Sequence, residues 1–567
     1  MNVKRLLSSR IEAALKDCGV EAPALVKTAS RPEFGHYQAD GVMAAAKKAK
    51  VNPRQLAAQV IDCLDADDIA EAVEVAGPGF LNIRLGEQFL AGKLNLEAPL
   101  IDKAAHPQTV VVDYSCPNLA KEMHVGHLRS TIIGDAAARI LEALGHRVIR
   151  QNHVGDWGTQ FGMLLAHFDE GGADSETLSD LEAYYRAAKV RFDTEPDFQA
   201  ASRAMVVALQ AGEAGARARW RRFIQISLDH CQTLYDRLDT SLGPSDVMAE
   251  SAYNEALPEV IEALAQQGLL TESDGARCVF LPEFKRKDGS ITPLIAQKSD
   301  GAYLYATTDL AAIRHRAKAL GAGRALYFTD SRQAFHFKQV FAVAQQAGFA
   351  GAALSLEHMP FGAMLGKDGK PFKTRDGGVI KLTALLDEAE ARAARLVGEK
   401  NPQLDAEEQA KVARAVGIGA VKYADLSKNR TSDYLFDWEQ MLAFEGNTAP
   451  YLLYAYARIQ SLFRRGDVDP ESLGGQAQPS ADAESDLAFV LARLQEVVEQ
   501  VAEDGYPHTL CAYLYDLATK FTRFYEQCPI LAAEGGERAN RLRFAQQTAR
   551  TLHAGLGLLG INTVSRM

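Results

Sequence analysis

No two of the seven cysteines (Cys18, Cys63, Cys116, Cys231, Cys278, Cys511 and Cys528) stand close enough in sequence to form a CxxC pair. That excludes a zinc ribbon and a thioredoxin-type redox motif. An odd, scattered set of thiols suits a reducing compartment, and a cytoplasmic location is expected. Long apolar runs are missing too: the runs at residues 530–533 and 556–561 are far shorter than the roughly 20 residues a bilayer requires. The opening MNVKRLLSSRIEAALKD carries charges throughout and reads as an amphipathic helix, so no secretory signal and no membrane partner are expected. Neither a Walker A sequence nor a GxGxxG after a strand occurs, which argues against P-loop NTPases and nicotinamide enzymes. An excess of positive charge is also absent. With a formal charge of -11, any contact to nucleic acid must come from local patches.

What is present organises a large chain. At 567 residues it exceeds the size of one hydrophobic core, so three or four domains are expected. Residues 1–105 alternate helical patterns with short strands at 72–75 and 80–84, the pattern of an α+β module. After a polar stretch, TVVVDYS (109–115) reads as a buried strand. A helix ending near Leu144-Gly145 and a second strand at 146–152 complete a right-handed βαβ unit. Residues 163–269 have helical period and high charge, as in a helical insertion. Strand signals return at 277–281, 302–307, 324–329 and 354–359, the expected second half of a Rossmann-like, doubly wound parallel sheet. From 404 onward the period is helical, interrupted by a Gly/Pro/Asp-rich stretch at 465–485. The reading is a multidomain α/β protein: a module at 1–105, a sheet domain at 106–403 and an all-α bundle at 404–567.

The sharpest local signal is His124-Val125-Gly126-His127, just after the first strand of the sheet domain and at the opening of its helix. Strand carboxyl ends and helix N-termini face the ligand crevice in such sheets and favour phosphate. Residues three apart share a helix face, so two imidazoles can donate to phosphate oxygens as charge develops. Gly126 leaves room for a flat adenine. The alternative is a helix cap with two incidental histidines.

The stretch SCPNLAKEMHVGHLRSTIIGD (115–135) resembles the signature of arginyl-tRNA synthetases, whose form of the class I HIGH motif sits in a Pro-Asn, Ala-Lys context. The resemblance continues at 152–162, 303–309, 424–433 and 444–451, from one end of the chain to the other. It implies an ATP-dependent ligase that forms arginyl-adenylate and passes the arginyl group to the 2′-hydroxyl of a terminal tRNA adenosine. L-Arginine, ATP with Mg²⁺ and tRNA(Arg) are the implied partners, with no metal held by protein ligands, and a monomer is expected. LGKDGKPFKTRDG (365–377) stands where the second class I signature belongs and departs from KMSK. Its Lys367, Lys370, Lys373 and Arg375 suit a pyrophosphate clamp, and equally a basic surface turn. Lys373 is the first choice for the catalytic cation and Lys121 the second.

An arginine side chain requires carboxylates in fork geometry and a flat wall. The resemblance assigns Tyr305 and Asp309 to the guanidinium with Asp113 in support, and Ser115, Asn118 and Gln333 to the α-amino and carboxylate groups. Asp309 reads equally as a helix N-cap, whereas an acid at Asp113 inside a buried run needs a partner. The resemblance also places the N-terminal module on the outer corner of tRNA and the bundle on the anticodon. Phe34, Tyr37 and Gln38 with Lys47 and Lys48, and Tyr451, Tyr454, Tyr456, Arg458 and Met567, are the suited groups. Aromatics at helical spacing also serve as core. Two rivals are a small nucleotidyltransferase and a catalytically silent RNA-binding paralogue. The long insertion and the bundle oppose the first; the histidine pair and the cationic loop oppose the second.

Overall fold

The computed structural model describes residues 1–171, 178–366, 368–370 and 380–567. Helix α1 (Val3–Asp17) starts at Asn2, whose side chain accepts the Arg5 N–H, and it buries a stripe of Val3, Leu7, Ile11, Ala14 and Leu15. With α2 (Gly41–Ala49) and α3 (Pro53–Cys63) it covers a four-stranded antiparallel sheet. The strands are β1 (Val26–Thr28), β2 (Tyr37–Ala39), β3 (Ala70–Ala76) and β4 (Phe80–Leu85), in the order β1-β2-β4-β3. Helix α4 (Glu87–Lys93) leads out of this module.

The second sheet positions the site. Strand β5 (Thr109–Asp113) is followed by α5 (Val125–Ala143) and β6 (Arg147–Gln151). Then come four long helices, α6 (Thr159–Gly171), α7 (Leu178–Thr194), α8 (Pro196–Ala211) and α9 (Ala214–Arg237), and after them α10 (Leu257–Gln266). A small antiparallel sheet follows, built from β7 (Leu270–Ser273), β8 (Ala276–Val279) and β9 (Leu294–Gln297). Helix α11 (Tyr305–Lys318), β10 (Arg324–Tyr327), α12 (Ala334–Gln346) and β11 (Ser355–His358) complete the domain's core. The parallel sheet has the order β11-β10-β5-β6, with Asp113 level with both Tyr327 and Gln151. Val110, Val111 and Val112 are fully buried because β5 is central and covered on both faces. The chain reverses direction of winding between β5 and β10, which makes their carboxyl ends the crevice where ligands bind in such sheets.

Two expectations for this domain are corrected. The strand expected at 277–281 exists as β8, yet it pairs with β7 and β9 and takes no part in the parallel sheet. The segment expected as a strand at 302–307 turns into α11 at Tyr305. From Ala306 onward the buried residues recur with helical spacing, and burial of that face decides. Asp309 therefore lies inside α11 and is not its N-cap, which is Leu304.

Short strands β12 (Met364–Leu365) and β13 (Tyr434–Leu435) pair in parallel. Between them run α13 (Leu382–Lys400) and α14 (Ala406–Leu426), which pack along each other. The bundle continues with α15 (Trp438–Met441), α16 (Ala449–Arg465), α17 (Asp482–Ala492), α18 (Leu494–Asp504), α19 (Pro507–Gln527) and α20 (Gly535–Leu558). The N-terminal module rests against this bundle. Asn2 donates to Glu499 at 2.8 Å, and Arg550 donates to the Ala98 carbonyl at 3.3 Å.

Candidate active site

At the end of β5 the chain makes a costly turn. Ser115 (φ 72°) and Cys116 (φ 50°) both lie in the left-handed region without being glycine. Buried hydrogen bonds hold them there: Ser130 Oγ accepts the Ser115 N–H at 2.9 Å, and Asn152 Oδ1 accepts the Cys116 N–H at 3.0 Å. The Ser115 hydroxyl is shared with Tyr235 at 2.8 Å and Thr131 at 2.9 Å. The turn delivers Asn118 to the surface, where Gln160 donates to its side-chain oxygen. A Cβ at Gly155 would lie 2.6 Å from that oxygen, so glycine is what lets the two loops meet.

Asp113, expected to support a bound guanidinium, is matched by a guanidinium of the chain itself. Arg316 of α11 donates to its carboxylate, and the Cys116 thiol donates to the other oxygen at 2.9 Å. Arg316 also donates to Gln151 at 2.6 Å and stacks 4.8 Å over the Tyr327 ring. This fully buried ion pair spans β5, β6, β10 and α11, and it answers how an acid is tolerated in a buried strand.

The histidine motif forms a reciprocal cap. His124 is the N-cap of α5, and its Nδ1 accepts the Gly126 N–H at 3.0 Å. The Nδ1 of His127 accepts the His124 N–H at 3.1 Å. An imidazole that accepts at Nδ1 carries its proton on Nε2, so each ring keeps an Nε2–H donor. Burial, and then the neighbouring His124, lower His127 to about 3, so it is neutral at physiological pH. The rings lie 4.0 Å apart, and a Cβ at Gly126 would come within 2.8 Å of His124. The nearest reason for glycine here is thus the histidine ring itself.

The cationic loop leaves β12, which pairs with β13, and its far end returns beside this cap. Leu365 in β12 precedes the loop, and after it the Ile380 carbonyl accepts the Val125 N–H at 3.0 Å. Lys381 pairs with Glu122 at 2.9 Å. Lys370 is exposed in a tight turn closed by the Gly366 N–H; Lys367, Lys373 and Arg375 lie outside the described residues. Lys121 sits 5.0 Å over the Tyr185 ring of α7.

A cavity of about 400 Å³ opens at the start of α11, lined by Trp157, Arg217, Glu250, Lys298, Tyr305 and Thr308 among others. Tyr305 is 62% exposed, a flat face turned to the opening. Glu250 was not anticipated. Burial, then the nearby Asp156 and Asp309 carboxylates, raise it to about 8. Asp156 accepts Ser251 at 2.5 Å, and Asp309 receives His336 Nε2 at 2.6 Å. Burial disfavours charge on His336, but the Asp309 hydrogen bond and charge outweigh it and raise the imidazole. Gln333 is exposed on a short turn just beyond β10, apart from the residues lining this cavity.

A family model described as tRNA synthetases class I (R), catalytic domain, matches residues 92–438. The arginyl tRNA synthetase N-terminal domain matches residues 5–85, and a DALR anticodon binding domain matches residues 452–567. Arginine–tRNA ligases of Marinomonas sp. and Hahella chejuensis are each 54% identical, with all of this chain and all of theirs covered. The chain belongs to the class I arginyl-tRNA synthetase family. Arginyl-tRNA synthetase structures from Thermus thermophilus (27% identity, TM-score 0.85) and Plasmodium falciparum (28%, TM-score 0.86) superpose over 100% of this chain and at least 99% of theirs.

Within this arginyl-tRNA synthetase fold, the residues expected at RNA divide. Tyr454, Arg458 and Met567 meet in a second cavity of about 620 Å³, with Arg464, Arg465 and Arg566 around them. Arg458 stacks 4.1 Å over Tyr525. Tyr451 is half-buried against Tyr515, and Tyr456 lies against His553. In the N-terminal module Lys47 and Lys48 are exposed, Phe34 is half-buried, and Gln38 donates to Asn82 at 2.8 Å. Tyr37, expected to stack on a base, is instead fully buried and donates its hydroxyl to Glu496 of α18 at 2.8 Å. It joins the module to the bundle. No helix among the described residues is long and apolar enough to cross a membrane.

Proposed function

We propose that the chain ligates arginine to tRNA(Arg) in two steps. A carboxylate oxygen of arginine attacks the α-phosphorus of ATP, forming arginyl-adenylate and releasing pyrophosphate. The 2′-hydroxyl of the terminal tRNA adenosine then attacks the arginyl carbonyl, and AMP leaves. The observation that carries the choice of amino acid is the carboxylate group at the α11 cavity. Glu250 lines it, and burial, then the nearby Asp156 and Asp309, raise its carboxyl to about 8. A cationic ligand favours the ionised form of such a buried carboxyl and pairs with it, and the exposed Tyr305 face suits a planar guanidinium.

In this reading the Nε2–H groups of His124 and His127 donate to phosphate oxygens as negative charge grows, with Gly126 beside the adenine. Lys373 follows the departing pyrophosphate, assisted by Lys370 and Arg375, and Lys121 is the alternative cation. Ser115, Asn118 and Gln333 orient the α-amino and carboxylate groups; Ser115 does so through the turn it holds, since its hydroxyl is committed to Tyr235 and Thr131. Asp113 acts by fixing Arg316. Among the described residues no group of three or more His, Cys, Asp or Glu is placed to hold a metal ion. In this reading Mg²⁺ accompanies ATP on its phosphates, where it offsets their charge.

The division of labour is a tRNA-gripping module at 1–105, catalysis at 106–403 and anticodon reading at 404–567. Arg458, Tyr454 and Met567 form the anticodon cavity. Seven free thiols accord with a cytoplasmic protein, which acts as a monomer. Arginine-dependent exchange of pyrophosphate into ATP, run with and without tRNA(Arg), tests the reading. Exchange that needs tRNA is expected, and its absence under both conditions would overturn the assignment.

A further inference from the structure

One buried guanidinium joins three elements of the fold next to the histidine cap. Arg129 stands on α5 two residues beyond His127 and is buried. Its Nε meets Asp425 of α14, at 3.3 Å from Oδ1 and 3.0 Å from Oδ2. Its Nη1 donates to the Ser432 carbonyl at 3.1 Å, and its plane lies 5.2 Å from the Tyr434 ring in β13. Strand β13 pairs with β12, the strand that leads into the cationic loop. The same side chain therefore joins the histidine helix, the stem of the loop and the first long helix of the bundle.

The pair is incomplete. Nη2 of Arg129 is buried with no hydrogen-bond partner among the described residues. A side-on arginine–carboxylate fork uses Nε and Nη2 together, so half of this one is made. An unmet buried N–H is costly, and the acceptor that would complete a side-on fork is the facing Asp425 carboxylate. Helix α14 is tied to the substrate side a second time. One turn before Asp425, the buried Lys422 donates to the Leu238 carbonyl at 2.6 Å and to the Gly560 carbonyl. Leu238 caps α9, and α9 carries the Tyr235 that holds Ser115 and Asn152.

We propose that Arg129 is a positioning residue for adenylate formation: completing its fork to Asp425 sets the angle of α5 against α14 and the loop stem, and so seats His124 and His127 on the reacting phosphate. The proposal rests on the ligase reading above. A merely structural ion pair requires a balanced charge; a positioning fork requires its geometry as well.

The test uses the full-length chain with tRNA(Arg), measuring kcat and KM for arginine-dependent pyrophosphate exchange alongside the melting temperature. Arg129→Lys keeps the charge and loses the fork. A folded Arg129→Lys with kcat lowered about tenfold or more and KM for arginine and ATP within about twofold is expected. Wild-type kcat in that variant overturns the proposal. Because an unpaired buried charge can unfold a chain, the double variant Arg129→Met with Asp425→Leu leaves neither partner charged. Folded with lowered kcat and unchanged KM, it supports positioning; folded with wild-type kcat, it overturns it. A wild-type chain with no arginine-dependent exchange overturns the ligase reading first, and this proposal with it.

Discussion

At the start of α5 two imidazoles are capped by backbone N–H groups of their own turn, and His127 is lowered to about 3. At the start of α11 the reverse holds: burial, and then the nearby Asp156 and Asp309, raise Glu250 to about 8. The first region stores neutral donors with a fixed direction. Such donors gain most when charge appears in a transition state, since they need no reorganisation. The second holds a buried carboxyl that is largely neutral when the cavity is empty and that a cationic ligand draws into its ionised form. In the proposed mechanism chemistry falls to the first region and selection to the second, and each should fail in its own kinetic constant.

The largest effect is expected at the histidines. His127→Ala should lower kcat for adenylate formation about a hundredfold, roughly 3 kcal/mol, and leave KM for arginine nearly unchanged. Steady-state pyrophosphate exchange separates the two constants. For the cavity the pattern should invert: Glu250→Gln raises KM for arginine about tenfold, with kcat close to wild type. A Glu250 variant that loses kcat alone would break the comparison.

The pH profile sharpens it. The cationic ligand prefers the ionised Glu250, whose raised value means that much of it is protonated at neutral pH. In the free enzyme, kcat/KM for arginine should rise as pH climbs through about 8 and level off above it. Glu250→Gln should flatten that limb; an unchanged slope would assign it to another group. His127, lowered to about 3, contributes nothing in this window. The smallest effect is expected far from both corners: Arg458→Ala should raise KM for tRNA about threefold without changing KM for arginine in aminoacylation.

The two regions also differ in how far the sequence revealed them. The histidine cap lies within four consecutive residues at a helix start, where local spacing dictates geometry. The carboxylate cluster draws Asp156, Glu250 and Asp309 from separate segments, and nothing near Glu250 marks it. The buried pair Asp113–Arg316 spans 203 residues, so the need for a partner was legible but the partner was not. Strand 277–281 was readable as a strand, but its pairing depends on remote neighbours. The segment at 302–307 reads as a strand, yet the face it buries belongs to a helix. Tyr37 stands in an aromatic, polar stretch that looks the same whether it meets a base or Glu496.

In the proposed mechanism the cavity at α11 selects a guanidinium, and the histidine corner then serves its activation. Pyrophosphate exchange in the presence of tRNA(Arg), compared between L-arginine and L-citrulline, tests it most directly, because citrulline replaces the guanidinium with a neutral urea of the same shape. Robust exchange with arginine, and exchange about a hundredfold or more weaker with citrulline, is the expected result. Comparable exchange with both, or none with arginine, would contradict it.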